Sequence, residues 1–417
     1  MLKRSPAVLA PLRNPHYRRL MLSNVFWWQI LAMWTVVAGA LVLDITNSAL
    51  AVTLLSFWRR AAQLSVGGFA GPVGDRVGRR HTLILTQGTI LAALMAILLL
   101  YLSGRLASWQ MGAAAFLIGA AWSVDLPARN ALVPDLVGRG LAVDAMLLES
   151  FIQGIVASGS AFLAGWLLDA FGPAGCFSVL VVVSTVNVGL LVLLSRHEIR
   201  RTVAVAGQSI WGDIGAGIGY IRRHQPILAV TLVSAVLNTW IFPSMSLLPV
   251  FARDVLGSGA LGLGLLSAGY SAGSFFGLVI ADRLRRTLPL GVLFTAGALL
   301  ECIALVAFAF SGLYALSWIF LFVAGVGQAG FHTMRNAVLL TEASDEMRGR
   351  ALSTVGLTQG VGLVGEMQTG LLAERIGAPV TAGAQSGGAA LLSGLIFLLL
   401  PAIWRRTAGD GRRMTDD

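Results

Sequence analysis

Long apolar runs alternate with short polar segments along nearly the whole chain. Each run is about 20 residues long, which is enough for a helix to cross roughly 30 Å of hydrocarbon. The pattern predicts an all-α membrane protein with twelve transmembrane helices, at residues 20–43, 49–72, 82–103, 109–127, 146–170, 174–195, 227–251, 260–281, 288–310, 313–334, 351–372 and 385–404. These are numbered here as spans one to twelve.

The longest polar connection divides the chain near its middle. It covers residues 196–225, and within it Ile210–Arg223 has the pattern of an amphipathic helix lying on the membrane surface. We therefore predict a six-helix bundle at residues 1–195, a cytoplasmic linker at 196–225 and a second six-helix bundle at 226–417.

An internal repeat relates the two predicted bundles. The segment Asn47–Ser56 resembles Ser258–Ser267, and each is followed by an apolar helix and then an Asp-Arg pair. The triplet Arg-Asn-Ala that begins at Arg129, at the end of span four, recurs 206 residues later at Arg335, at the end of span ten. Two pseudo-symmetric bundles of the same orientation follow, as in transporters whose substrate site lies near the bilayer midplane between repeats.

The composition and the charge distribution support this topology. Of the 417 residues only 12 % are charged, against about a quarter in soluble proteins. The net charge of +10 could suggest a nucleic-acid partner, but 25 of the 30 Lys and Arg residues lie at the N-terminus, at the C-terminus and in every second loop, against 3 in the other loops. The positive-inside rule then places both termini in the cytoplasm of a multi-pass protein of the cell (inner) membrane, without nucleic acid.

Several enzyme-like strings lack the context that their chemistry needs. Gly325–Gly330 spells G-x-G-x-x-G and Gly269–Gly273 spells G-x-S-x-G, but both lie in apolar spans with no preceding strand. Cys176 and Cys302 have no metal or disulfide spacing, and no Walker sequence is present. We predict no enzyme activity, no cofactor and no metal, so that a gradient or a partner must supply the energy for transport.

The most specific motif lies in the loop between spans two and three. It reads G-x-x-x-D-R-x-G-R-R and comprises Gly71, Gly74, Asp75, Arg76, Gly78, Arg79 and Arg80. The glycines permit a tight turn and a close helix approach, while the carboxylate can pair with arginines and with helix N-terminal amides.

This loop resembles the signature of the major facilitator superfamily, and the likeness extends over the whole chain. The resemblance implies that Asp75 joins a charge network with the span-four arginine, Arg129, and with the end of span eleven. That network locks and unlocks the outward-facing state. Asp282 with Arg283, and Arg335, are then the repeat counterparts of this gate.

A narrower resemblance is to the branch of macrolide-efflux and enterobactin-export proteins. It rests on Leu12–Arg19, Asp125–Leu136 and Leu248–Gly257. The branch implies export of a small hydrophobic or amphipathic molecule, drug-like or siderophore-like, by alternating access and proton antiport. One departure is that Gly159-Ser160 stands in span five where antiporters often have Gly-Pro. We expect a monomer whose partners are this substrate, protons and the lipid bilayer.

Two adjacent arginines and one glutamate inside spans are candidates for proton coupling. Arg59 and Arg60 are near the middle of span two, and Glu366 is near the middle of span eleven. A charge there costs a few kcal/mol, so each needs a cavity or a partner. In the family fold these two spans are neighbours, and we hypothesise that Arg59 or Arg60 pairs with Glu366 and that protonation of Glu366 releases the pair. The alternative is a static ion pair that holds the two halves together.

Further polar and aromatic side chains within the spans are candidates for the substrate cavity. They are Asn24, Trp28, Gln29, Trp34, Asn238, Trp240, Glu301 and Gln328. Tryptophans also serve as interfacial anchors, Glu301 could instead pair between helices, and His332 is expected to be solvated near the cytoplasmic end of span ten.

Two other functional classes compete with export. A lipid or lysolipid flippase of the same fold would show no dependence on a proton gradient and would have an apolar lateral opening. A non-transporting membrane sensor or a membrane-embedded enzyme is a different class. Short tails argue against the sensor, and the lack of a paired nucleophile and base argues against the enzyme.

Overall fold

The computed structural model describes residues 7–67, 78–138, 140–193, 219–342 and 348–404. A short 3₁₀ helix, Ala7–Arg13, precedes the first long helix. The main helices are α1 (Pro15–Thr46), α2 (Ala49–Gly67), α3 (Arg79–Leu102), α4 (Ser108–Val137), α5 (Ala142–Val192), α6 (Gln225–Val255), α7 (Gly259–Leu284), α8 (Leu290–Ala309), α9 (Tyr314–Glu342), α10 (Arg348–Ile376) and α11 (Ala378–Leu399).

All twelve predicted spans are helical in the part of the chain that the structure describes. α5 contains spans five and six, which meet at Gly172, where the backbone has a φ of 65° before Pro173. Nine segments within the described ranges are long and apolar enough to cross a membrane. The two other main helices, α2 and α10, are more polar than these nine segments, because α2 holds Arg59 and Arg60 and α10 holds Glu366. The predicted all-α, twelve-helix membrane fold is confirmed.

Two helices extend well beyond their predicted apolar runs. α4 continues to Val137, ten residues past the predicted end of span four at residue 127, with Pro127 and Pro134 inside the helix. α9 likewise continues to Glu342. Because the apolar run ends before the helix does, hydropathy assigns Arg129 to a loop, although this arginine lies inside α4.

The chain forms two compact units. Unit one comprises Met1–Asn47, Leu55–Val205 and Gly259–Ala268, and unit two comprises Ser48–Leu54, Ala206–Ser258 and Gly269–Asp417. Two short segments are thus exchanged relative to the predicted bundles at 1–195 and 226–417. The predicted linker at 196–225 is described only from residue 219 onward, so the amphipathic helix Ile210–Arg223 lies almost wholly outside the described residues.

Each unit repeats one close helix contact. In unit one, Gly119 of α4 packs so closely against the backbone oxygen of Arg59 in α2 that a Cβ would collide with it. In unit two, Gly325 of α9 packs in the same way against the backbone oxygen of Tyr270 in α7. Gly325 follows Gly119 by the same 206 residues that separate Arg335 from Arg129, so the sequence repeat coincides with a repeated packing contact.

Candidate functional site

A buried arginine organises the polar interior of unit one. Arg129 is 2 % exposed, and its Nε donates to Oδ2 of Asp125, one helical turn earlier in α4, at 2.5 Å. Its Nη1 donates to Ser23 Oγ at 3.0 Å and to Asn24 Oδ1 at 2.6 Å, both on α1. A buried ion pair costs desolvation of both charges, which only close geometry and further hydrogen bonds offset. Arg129 receives both.

The network continues from this arginine into two more helices. The Asn24 side-chain amide donates to Glu149 Oε1 of α5 at 2.9 Å. Ser23 Oγ donates to Asn187 Oδ1 at 2.6 Å, and Asn187 Nδ2 in turn donates to Gln87 Oε1 of α3 at 2.8 Å. A further bond joins α3 to α4, from Thr86 Oγ1 to Asp125 Oδ1 at 2.6 Å. Four helices of unit one thus share one polar network.

Three tryptophans lie beside this network. The ring centroids of Trp27 and Trp28 are 4.6 Å apart, and Trp122 of α4 lies 5.1 Å from Trp27 and 5.7 Å from Trp28. The Arg129 guanidinium carbon is 4.9 Å from the Trp27 ring centroid, within the range of a cation–π contact. Trp27 is buried, whereas Trp28 and Trp122 are half-buried. The cluster, which we call the tryptophan triad, gives the charge network an aromatic border.

The loop signature is described only from its last three predicted residues onward. Gly78 has a φ of 86° before α3 begins, a left-handed conformation that favours glycine. Arg79 pairs with Asp135 and donates to the backbone oxygen of Ala131 at 2.9 Å. Arg80 Nη2 donates to the backbone oxygen of Val192 at 2.5 Å. The remaining members lie outside the described residues, so the predicted contact between Asp75 and Arg129 stays a prediction; they are Gly71, Gly74, Asp75 and Arg76.

The repeat counterparts in unit two have a different environment. Asp282 pairs with Arg285 Nη2 at 2.7 Å, and both side chains are about half exposed. Arg335 has its guanidinium carbon 5.7 Å from the Phe331 ring centroid, and its Nε donates to Asn336 Oδ1 at 3.4 Å. Within the described residues Arg283 forms no ion pair, since Asp282 pairs with Arg285 and Arg286 instead.

A second buried carboxyl group lies in unit two. Glu301 of α8 is fully buried, and the Tyr270 hydroxyl of α7 donates to its Oε1 at 2.9 Å. Gln328 of α9 also interacts with that hydroxyl. Within the described residues, Glu301 Oε2 has no hydrogen-bond partner. Glu301 of α8 is therefore hydrogen-bonded to a residue of another helix. Such a pairing between helices is the predicted alternative to a place in the substrate cavity.

The predicted coupling residues belong to different units. Glu366 is 1 % exposed and accepts a hydrogen bond from Ser246 Oγ at 2.9 Å, within unit two. Arg59 and Arg60 belong to unit one. Their pairing with Glu366 stays a prediction.

The remaining cavity candidates each have a described environment. Asn238 is buried and donates to the Ser234 backbone oxygen at 2.7 Å. The Trp34 ring centroid lies 6.2 Å from that of Phe177, and Gln29 is half-buried. The Trp240 ring packs over Gly388 of α11. His332, ten residues before the end of α9, stacks on Phe242 with ring centroids 5.6 Å apart and is half-buried rather than fully solvated.

Sequence reasoning missed several members of the unit-one network. They are Ser23, Gln87, Asp125, Glu149 and Asn187. For Asp125 the sequence did contain a signal: it stands four residues before Arg129, so on a helix the two side chains would share a face and could pair. The other four needed knowledge of which side of each span faces the interior.

Comparisons with known proteins identify the family and the fold. The family model described as "Transmembrane secretion effector" matches residues 6–410. The Staphyloferrin A transporter of Staphylococcus aureus is 20 % identical over 337 residues, which cover 81 % of this chain and 84 % of that protein.

Solved structures share the fold at low identity. The nucleoside transporter NupG matches with a TM-score of 0.72 at 13 % identity, covering 94 % of this chain and 100 % of NupG. A POT family transporter in complex with 5-aminolevulinic acid matches with a TM-score of 0.72 at 12 % identity, covering 93 % of this chain and 96 % of that chain. The chain therefore belongs to the transmembrane secretion effector family and is a membrane transporter of the major facilitator type, not an enzyme.

Proposed function

We propose that this transporter exports a small hydrophobic or amphipathic organic molecule, drug-like or siderophore-like, by alternating access driven by proton antiport. It acts as a monomer in the cell (inner) membrane with both termini in the cytoplasm. The family description as a secretion effector supports export, and the name of the staphylococcal relative supports a siderophore-like substrate. The 25-to-3 distribution of basic residues supports the orientation.

The observation that carries the proposal is the junction of charge and aromatic surface in unit one. Ligand sites combine apolar and aromatic surface with a few placed polar groups. Here Trp28 and Trp122 are half-buried aromatic surfaces, and Asn24 links Arg129 to Glu149 beside them. An ionisable residue inside a membrane protein marks a pathway or relay more often than a purely structural site. The arrangement suits an amphipathic molecule.

Glu366 is our candidate for proton coupling. It is almost fully buried on α10, and the Ser246 hydroxyl donates to it at 2.9 Å. Protonation would remove the charge that Arg59 or Arg60 is proposed to neutralise, so the pair could open in one half of the cycle. The rival role is a static ion pair.

Proteoliposomes test the proposal directly. The purified full-length protein is reconstituted with a pH dye inside, and a panel of dyes, antibiotics and siderophores is added from outside. Proton antiport predicts that a transported compound moves protons in the opposite direction and that an uncoupler abolishes its concentrative transport. Transport that ignores the uncoupler would favour the flippase function instead. No movement of any compound in the panel would count against export of this class.

Glu366→Gln separates coupling from a structural role. If Glu366 couples protons, this variant exchanges substrate down its own gradient but no longer concentrates it against a gradient in response to a pH difference. A wild-type response to the pH difference in Glu366→Gln would contradict the coupling role. Glu374→Gln is the control, because Glu374 is an exposed carboxylate of the same helix whose described hydrogen bond comes from the Ser48 hydroxyl.

A further inference from the structure

We propose that Glu149, together with Trp28 and Trp122, forms the binding site for the positively charged group of an amphipathic organic cation. The inference rests on the proposed export function and sharpens it, because it selects cations from the wider class of amphipathic molecules. All residues of the proposed site belong to unit one.

The first step is the charge balance of the network. Asp125 directly neutralises Arg129, with a contact of 2.5 Å and both side chains at most 2 % exposed. Glu149 has no ion-pair partner within 4.0 Å among the described residues, and the Asn24 side chain bridges it to Arg129. Because Asp125 already neutralises Arg129, an ionised Glu149 gives the three side chains one net negative charge, and that charge favours a cation.

The second step is access. Asp125, Arg129 and Asn24 are all buried, whereas Glu149 is half-buried. Glu149 Oε1 accepts the hydrogen bond from Asn24, and the described residues make no hydrogen bond to Glu149 Oε2. Glu149 lies two turns from the start of α5, inside predicted span five, and a charge inside a span needs a cavity or a partner.

The third step is the aromatic surface to which Asn24 links this carboxylate. Trp28 lies one turn beyond Asn24 on α1, so the two side chains share a face of that helix. Trp122 contacts Trp28 with a centroid distance of 5.7 Å. Trp faces attract organic cations more strongly than Tyr or Phe faces do. A carboxylate that Asn24 links to half-buried tryptophans is therefore suited to a lipophilic cation rather than to an anion.

An anionic ligand would need the positive charge of Arg129 to be reachable. Arg129 is 2 % exposed, already paired with Asp125, and lies against the ring of Trp27. Its Nη2 has no hydrogen-bond partner in the described residues, but that atom is buried, and an approaching anion would meet Glu149 as well. The geometry thus disfavours a carboxylate-rich ligand at this position.

Two ions of the same shape and opposite charge test the inference. The full-length protein in lipid nanodiscs is titrated separately with tetraphenylphosphonium and with tetraphenylborate, and its tryptophan fluorescence is recorded against empty nanodiscs. We expect tetraphenylphosphonium to bind about tenfold more tightly than tetraphenylborate, and Glu149→Gln to lose about tenfold in affinity for the cation. Glu149→Asp keeps the charge and should retain part of that affinity.

The controls separate charge from folding and from the wider function. Glu374→Gln makes the same chemical change outside the proposed site and should bind the cation as wild type does. Equal binding of both ions, or unchanged cation binding in a folded Glu149→Gln, would overturn the inference. If either result occurs while proton-coupled export of another compound persists in proteoliposomes, then the cation selectivity is wrong and the proposed export function stands.

Discussion

The two copies of the repeat differ most at their shared arginine. Arg129 in unit one is buried and bound to Asp125, Ser23 and Asn24. Arg335 in unit two is half-buried and lies against the Phe331 ring. Phe331 stands 206 residues after Asp125, so the repeat has an aromatic ring where unit one has the neutralising carboxylate.

The backbone framework does not share this difference. Gly119 and Gly325 make the same close contact with the backbone of α2 and of α7. A contact that depends on the absence of a Cβ is retained in both copies, while the side chains around the arginine have diverged. The two copies therefore share the close helix packing at the glycine, whereas the partners of the arginine differ between them.

The largest expected effect is the loss of Arg129. Arg129→Ala leaves Asp125 as an unpaired buried charge and should destabilise the protein by about 3–5 kcal/mol. Arg335→Ala removes a partly exposed cation–π contact and should cost about 0.5–1 kcal/mol. Thermal unfolding of both purified variants in the same detergent checks the difference. Equal loss of stability in the two variants would mean that the two arginines have equivalent roles after all.

A smaller and symmetric effect is expected for the glycine contacts. Gly119→Ala and Gly325→Ala each place a Cβ against a backbone oxygen and should each cost about 1–3 kcal/mol. Gly88→Ala is the control, because no atom lies within 4 Å of a Cβ at that helical position, and alanine is the better helix former. Unfolding temperatures again provide the measurement. A loss of stability in only one of the two variants would contradict the equivalence of the two packing contacts.

The smallest effect is expected at the ion pairs near helix ends, Arg285 with Asp282 and Arg79 with Asp135. Arg285→Ala removes an exposed pair with Asp282 and should change stability by about 0–1 kcal/mol. Arg79→Ala should cost more, because both members of its pair with Asp135 are only about one-fifth exposed and Arg79 also donates to the Ala131 backbone oxygen. The two variants are compared by unfolding at low and at high salt, where the effect of Arg285→Ala should vanish first. A salt-insensitive loss in Arg285→Ala would contradict this ranking.

The fold was largely predictable from the sequence because its solvent is lipid. Hydropathy located the spans, since every helix that crosses hydrocarbon must satisfy its own backbone and present an apolar surface. The same argument misplaced the end of span four. Helix α4 continues to Val137 because its later part packs against protein, including the buried cluster of Leu83, Leu132 and Leu136, rather than against lipid.

The candidate site was less predictable because it depends on which face of each helix points inward. Asn24, Arg129 and Trp28 were identified, but as separate members of a cavity and a gate. Glu149 and Asn187 lie on the long helix α5, whose two spans carry no motif that marks those faces. The network joins residues more than 100 positions apart, such as Asn24 and Glu149, and only the packing of α1 against α5 brings them together.

The most direct test of the account is transport by the double variant Asp125→Asn with Arg129→Gln. Removing both charges leaves no unpaired buried ion, so its stability should stay close to that of the wild type, unlike that of Arg129→Ala. The measurement is the initial rate of substrate transport in proteoliposomes at matched protein content. The account predicts a folded protein whose rate falls at least about tenfold, because the network serves transport. A stable double variant with the wild-type rate would show that the buried pair is only a packing device and would contradict the central claim.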